Sequence, residues 1–104
     1  MFSVDLGGTM TFSDDGPAKN VFYDSASLKA QVMCLRAGQV IPPCTMSNDV
    51  LFCVLRGEGE MIVDDERSRL KPLMSVVVPR QAGSRSIVAA TDLVILAVQS
   101  VSVR

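Results

Sequence analysis

The chain has no histidine, which removes the commonest metal ligand and the commonest general base near neutral pH. Zinc, iron or manganese catalysis on the usual ligand sets is thereby disfavoured. Long hydrophobic runs are missing too: stretches such as Ile87 to Ala90 and Leu93 to Val98 fall far short of the ~20 residues that span a bilayer. The start, Met-Phe-Ser-Val-Asp, has neither the basic residues nor the apolar core of a signal peptide, so a cytoplasmic protein with no membrane partner is expected. Neither sign of charge is in excess. Ten basic and eleven acidic residues give a net charge of −1 and form no blocks, which argues against nucleic acid as a partner. Cysteine is scarce: Cys34, Cys44 and Cys53, at spacings of ten and nine, fit neither a disulfide framework nor a CxxC pair and read as reduced thiols.

What is present is apolar and extended. A length of 104 residues makes a single domain over 1–104, because a split would leave pieces too small to bury a useful core. An apolar share of 48% and a mean hydropathy of +0.32 are high for so short a chain. Both faces of some strands should therefore be covered, and a second copy would supply that cover.

Period-two alternation and turn residues place the strands. Residues 1–20, with Gly7, Gly8 and Ser-Asp-Asp-Gly-Pro at 13–17, read as turns with at most a first edge strand. From Leu28 to Leu35 the alternation puts Leu28, Ala30, Val32 and Cys34 on a core face and Lys29, Gln31, Met33 and Leu35 on a mixed one. Pro42 and Pro43 force a bend. Val50 to Leu55 is an unbroken apolar hexamer closed by Gly57, with Val50, Phe52 and Val54 on one face and Leu51, Cys53 and Leu55 on the other. Met61 to Leu70 reads as a hairpin turning at Asp64-Asp65-Glu66, a solvated turn rather than a metal loop. Ser75 to Val78, Ile87 to Ala90 and Leu93 to Val103 complete a set of eight to ten short antiparallel strands with little or no helix. An all-β sandwich or barrel follows.

Two stretches have a recognisable spacing. Five residues separate Gly38 from Cys44, one separates Cys44 from Met46, three separate Met46 from Val50 and six separate Val50 from Gly57. This resembles the first motif of the cupin family, here spanning 38–57. Leu73-Met74, the strand Ser75 to Val78, Pro79 and the loop to Ser84 or Arg85 resemble the second, spanning 73–85. The resemblance implies a cupin-like jelly-roll β-barrel, or double-stranded β-helix, commonly dimeric. It also implies that Cys44, Met46, Val50, and Ser84 or Arg85, occupy the positions where cupins carry two histidines, a glutamate and a third histidine. None of the four ligands is kept, and the Gly-Asp pair that opens the second motif is replaced by Leu73-Met74.

Cys44 and Met46, two apart on a strand, should point the same way, into the mouth of the barrel. A thiol beside a thioether would suit copper(I) better than a hard cation, but no metal or other cofactor is expected, and the simplest reading is a cavity lining. Val50 cannot ligate. The candidate ligand-binding set is Cys44, Met46, Val50, Phe52, Ser84 and Arg85, with Arg85 suited to a carboxylate or phosphate on a small ligand.

Three functions fit. The first is metal-free binding of a small organic molecule in an apolar pocket. The second is an isomerase-like or thiol-dependent enzyme, whose candidate catalytic residue is Cys44 and which needs a cation such as Arg85 to activate the thiol. The third is a ligand-free dimerisation module. In each case the Leu51, Cys53 and Leu55 face would form a homodimer contact.

Overall fold

In the computed structural model, which describes residues 1–101, the chain forms nine strands. They are β1 (Ala18–Asp24), β2 (Leu28–Leu35), β3 (Val40–Cys44), β4 (Val50–Arg56), β5 (Gly59–Val63), β6 (Glu66–Leu70), β7 (Ser75–Val78), β8 (Arg85–Ala89) and β9 (Leu93–Ser100). A single 3-10 turn, Leu6–Thr9, precedes them, its first turn capped by the Asp5 side chain accepting from the Gly7 N–H. No described helix is long and apolar enough to cross a membrane.

The strands pair in antiparallel fashion into two sheets, one ordered β1-β2-β9-β4-β7 and the other β3-β8-β5-β6. Alternation decides what lies between them. Met33 and Leu35 of β2, Val50, Phe52 and Val54 of β4, and Leu93, Ile95 and Ala97 of β9 pack in one cluster with Met61, Leu70, Ile87 and Ala89 of the facing sheet. Each large side chain fully buried in this way stabilises the fold by about 1.5–3 kcal/mol relative to exposure.

The inward face of β2 is thus the mixed one, contrary to its composition. Met33 and Leu35 enter the core, whereas the uniformly apolar Val32 and Cys34 lie on the outside of the sheet with Val94. Leu6, Met10, Phe12 and Phe22 cover that outside, joined by Leu55 and Leu96. The N-terminal stretch, expected to be turns and an edge strand, thereby supplies much of the cover that a second copy was expected to give. Arg36 lies over the Phe12 ring at 5.0 Å and extends the cap. Of the three residues expected to share an outer contact, Leu55 is packed under this cap, Cys53 is half-buried and Leu51 is exposed.

Among the described residues, Gly16, Gly38, Gly57, Asp64 and Leu73 carry left-handed backbone. Gly38 (φ 88°) and Gly57 (φ 89°) do so at no steric cost. Around Gly38 the space is open, but a Cβ on Gly57 would collide with the Asp92 carbonyl. Leu73 also takes the left-handed region, with φ 73° and 83% of its surface exposed. It is held there because its N–H donates to the Val54 carbonyl at 2.8 Å while Val54 donates to the Met74 carbonyl at 2.8 Å. In the second motif this is where glycine is replaced.

Two outcomes follow for denaturant unfolding. Gly38→Ala should cost about 1–2 kcal/mol, the left-handed penalty alone, and Gly57→Ala should cost clearly more because backbone must also move; equal losses would contradict the close approach to Asp92. Leu73→Gly should raise stability by about 1 kcal/mol, since it removes the same left-handed penalty without removing a buried contact. A destabilised Leu73→Gly would show that its side chain contributes more than the strain costs.

Candidate functional site

One irregularity in the second sheet sets up the site. In the β3–β8 ladder Val40 pairs with Val88 and Ile41 with Ile87, but the next pair is Cys44 with Arg85. Three residues are taken on β3 for two on β8, and the extra one falls at Pro42-Pro43, where proline cannot donate to the ladder. A bulge of this kind shifts the side-chain parity by one. Cys44, rather than Pro43, therefore comes beside Arg85 on the inward face.

Arg85 is inward because it stands two residues from Ile87 and four from Ala89, both in the core. Its other ladder neighbour is Val63. The loop before it is pinned from outside: Asp64 Oδ1 accepts from the Ser84 N–H at 2.9 Å, and the Asp64 N–H donates to the Ser84 carbonyl at 3.0 Å. Thr45 adds a hydroxyl hydrogen bond to the Gly83 carbonyl. The acidic turn that reads as merely solvated is what fixes Ser84 outside and starts β8 with Arg85 inside.

The guanidinium of Arg85 lies 5.0 Å from the centroid of Phe52, over its ring. Its Nη2 donates to Met46 Sδ at 2.7 Å. Around these groups is a cavity of about 210 Å³ that Cys44, Met46, Val50, Phe52 and Arg85 all line. Five of the six residues singled out from the sequence thus meet. Ser84 does not line this cavity; it borders a small adjoining hollow that Cys44, Met46 and Arg85 also line, with Asn48, Val78 and Pro79.

The remaining wall comes from residues that spacing alone did not select. Lys29 and Gln31 of β2, Lys19 of β1 and Gln99 of β9 line the cavity opposite Arg85, over an apolar floor that includes Met33, Ile41 and Ile87. The pocket is therefore half polar and cationic rather than simply apolar. The signal that could have located this wall was the mixed face of β2, whose polar residues cluster at one end, Lys29 and Gln31, and whose apolar residues, Met33 and Leu35, sit at the other.

This arrangement is ill suited to a cation. The soft donors of the lining are Met33, Cys44 and Met46, and the permanent charge of Arg85 is hydrogen-bonded to Met46. Among the described residues no three Cys, Asp or Glu side chains converge. The Cys44 thiol makes no hydrogen bond to a general base among the described residues, and Arg85, its ladder partner, is the cation beside it. Cys34 lies elsewhere, beneath the N-terminal cap, and burial pushes its thiol pKa up. A larger hollow of about 390 Å³ lies between β6 and β7, the end strands of the two sheets, and is lined by charges of both signs, Asp64, Glu66 and Arg67. Size does not make it the better candidate: none of the converging groups faces it.

No family model matches the chain, and no curated protein matches it in sequence. Solved structures do match in shape. An RmlC-like cupin protein from Desulfovibrio desulfuricans superposes with a TM-score of 0.86 at 24% identity, over 96% of each chain. A protein from Thermus thermophilus gives a TM-score of 0.88 at 22% identity, over 96% of this chain and 97% of that one. A cupin superfamily protein from Desulfitobacterium hafniense gives 0.86 at 16% identity, over 95% and 90%. With two facing antiparallel sheets in this order, and near-complete overlap with structures of that kind, the chain has the cupin fold.

Proposed function

We propose that this chain is a metal-free binding protein for a small organic molecule, held in the cavity beside Arg85. The observation that supports it most is the guanidinium itself. It stands inside the fold, over the ring of Phe52 and donating a hydrogen bond to Met46, and it brings a fixed positive charge to the cavity. Drug-sized ligands occupy pockets of about 300 Å³ and upward, so a volume near 210 Å³ limits the ligand to something smaller.

A screen of small fragments by amide-resolved NMR tests this reading. Binders should shift the backbone resonances of Gln31, Phe52, Arg85 and Ala97 together, because these residues from both sheets border one cavity. Shifts confined to the hollow between β6 and β7, or none at all, would remove the proposal.

A second reading concerns assembly, and the exposed cross-strand pair favours it. Leu51 and Val77 are partners in the β4–β7 ladder, 41% and 64% exposed, and Val98 flanks Leu51 from β9. An uncharged apolar row on a sheet face is self-complementary, so a second copy of the chain is its natural occupant. In sedimentation, Val77→Glu should shift a dimer toward monomer at least tenfold in dissociation constant while the unfolding midpoint holds. Wild type that sediments as a monomer at all concentrations would end this reading.

A further inference from the structure

The cavity wall shows a one-sided distribution of charge that the binding reading does not by itself require. Lys19, Lys29 and Arg85 line the cavity, and among the described residues no acidic side chain does. Among the described residues, the four ion pairs are made by Arg36, Arg67 and Arg80, and none involves Lys19, Lys29 or Arg85. This is not for want of carboxylates, since acidic and basic residues are nearly balanced along the chain.

Arg85 is also incompletely used. Among the described residues its side chain donates only to Met46 Sδ, a weak acceptor, which leaves the other N–H groups of its fork without a protein acceptor. Among the described residues no buried side-chain nitrogen or oxygen lacks a partner, so these N–H groups are not sealed in, and Arg85 lines the cavity. A planar fork of this kind matches the two oxygens of a carboxylate, and like charges gathered in a concave site attract an anion from solution. Gln31 and Gln99 add amide donors on the opposite wall.

The floor restricts the anion further. Met33, Ile41, Val50, Phe52 and Ile87 offer it only apolar surface. An inorganic oxyanion would satisfy the cations and leave this surface in contact with water. A carboxylate attached to a short apolar body would cover both.

Resting on the binding reading above, we infer that the ligand is a small monocarboxylate with an apolar body, its carboxylate received by Arg85 with Lys19 and Lys29 supplying the attracting field. The inference concerns charge class, so the test compares probes that differ in charge and little in shape. Benzoate is titrated against benzamide and hexanoate against hexanamide, with inorganic phosphate as a third arm, by calorimetry and by the cavity resonances.

At least one acid should bind ten or more times tighter than its amide, and should weaken as salt is raised. Arg85→Gln should lose at least tenfold of that affinity, Arg85→Lys most of it because the fork is gone, and Lys29→Gln a smaller factor. The Lys29→Gln variant and the unmutated protein with paired probes keep the test valid even if Arg85→Gln fails to fold. Amides binding as well as acids would leave the binding reading standing and overturn the carboxylate assignment. Phosphate binding without either acid would also overturn it. If no probe binds, the inference falls, and the fragment screen then decides the binding reading separately.

Discussion

The structure depends on the two-residue period of its strands and on the one place where that period is broken. Between two sheets every inward position is either core or cavity, so a shift of one residue exchanges a buried side chain for a solvated one. The bulge at Pro42-Pro43 makes such a shift on β3 and leaves β8 in phase, which brings Cys44 beside Arg85. Asp64 holds the other flank of Arg85 through Ser84. A prolyl irregularity and an acidic turn, neither of which touches the cavity floor, therefore determine what the cavity contains.

A charged group inside a fold is costly unless something replaces its water. Arg85 finds a partial replacement in the face of Phe52 and the sulfur of Met46, both of which interact favourably with a cation without neutralising it. The site retains a positive charge as a result. That is the reverse of a metal centre, in which anionic or neutral donors surround a cation, and it is the basis on which an anionic ligand is proposed. The fold does not choose between these outcomes, because function on a shared scaffold is set by the side chains at the site.

The outer surface follows a similar logic. The apolar outside of β2 and β9 needed cover, and the chain supplies it from its own N-terminal stretch through Leu6, Met10 and Phe12. The cap does not extend to Leu51 and Val77. High apolar content in a short chain thus reflects two separate demands, one met within the chain and one left at its surface.

Much of the fold was legible because it depends on local pattern. The hexamer Val50 to Leu55, the hairpin at Asp64-Asp65 and the glycines at 38 and 57 announce their strands and turns through side-chain shape and backbone freedom, and the motif spacing brought Cys44, Met46, Val50 and Phe52 to one place. That Arg85 and not Ser84 would line the larger cavity was not legible, since the placement of Ser84 depends on a hydrogen bond to Asp64, twenty residues away in sequence. Nor was the inward direction of Lys29 and Gln31, because local composition favoured the opposite face of β2 as the core. By itself the sequence determined most of the strand segments and which side chains share a face along them, as these follow from the period of the backbone; β3, which runs through Pro42 and Pro43, was read only as a bend. Only the tertiary structure decided which face looks inward, because that depends on pairing and on cover from distant parts of the chain.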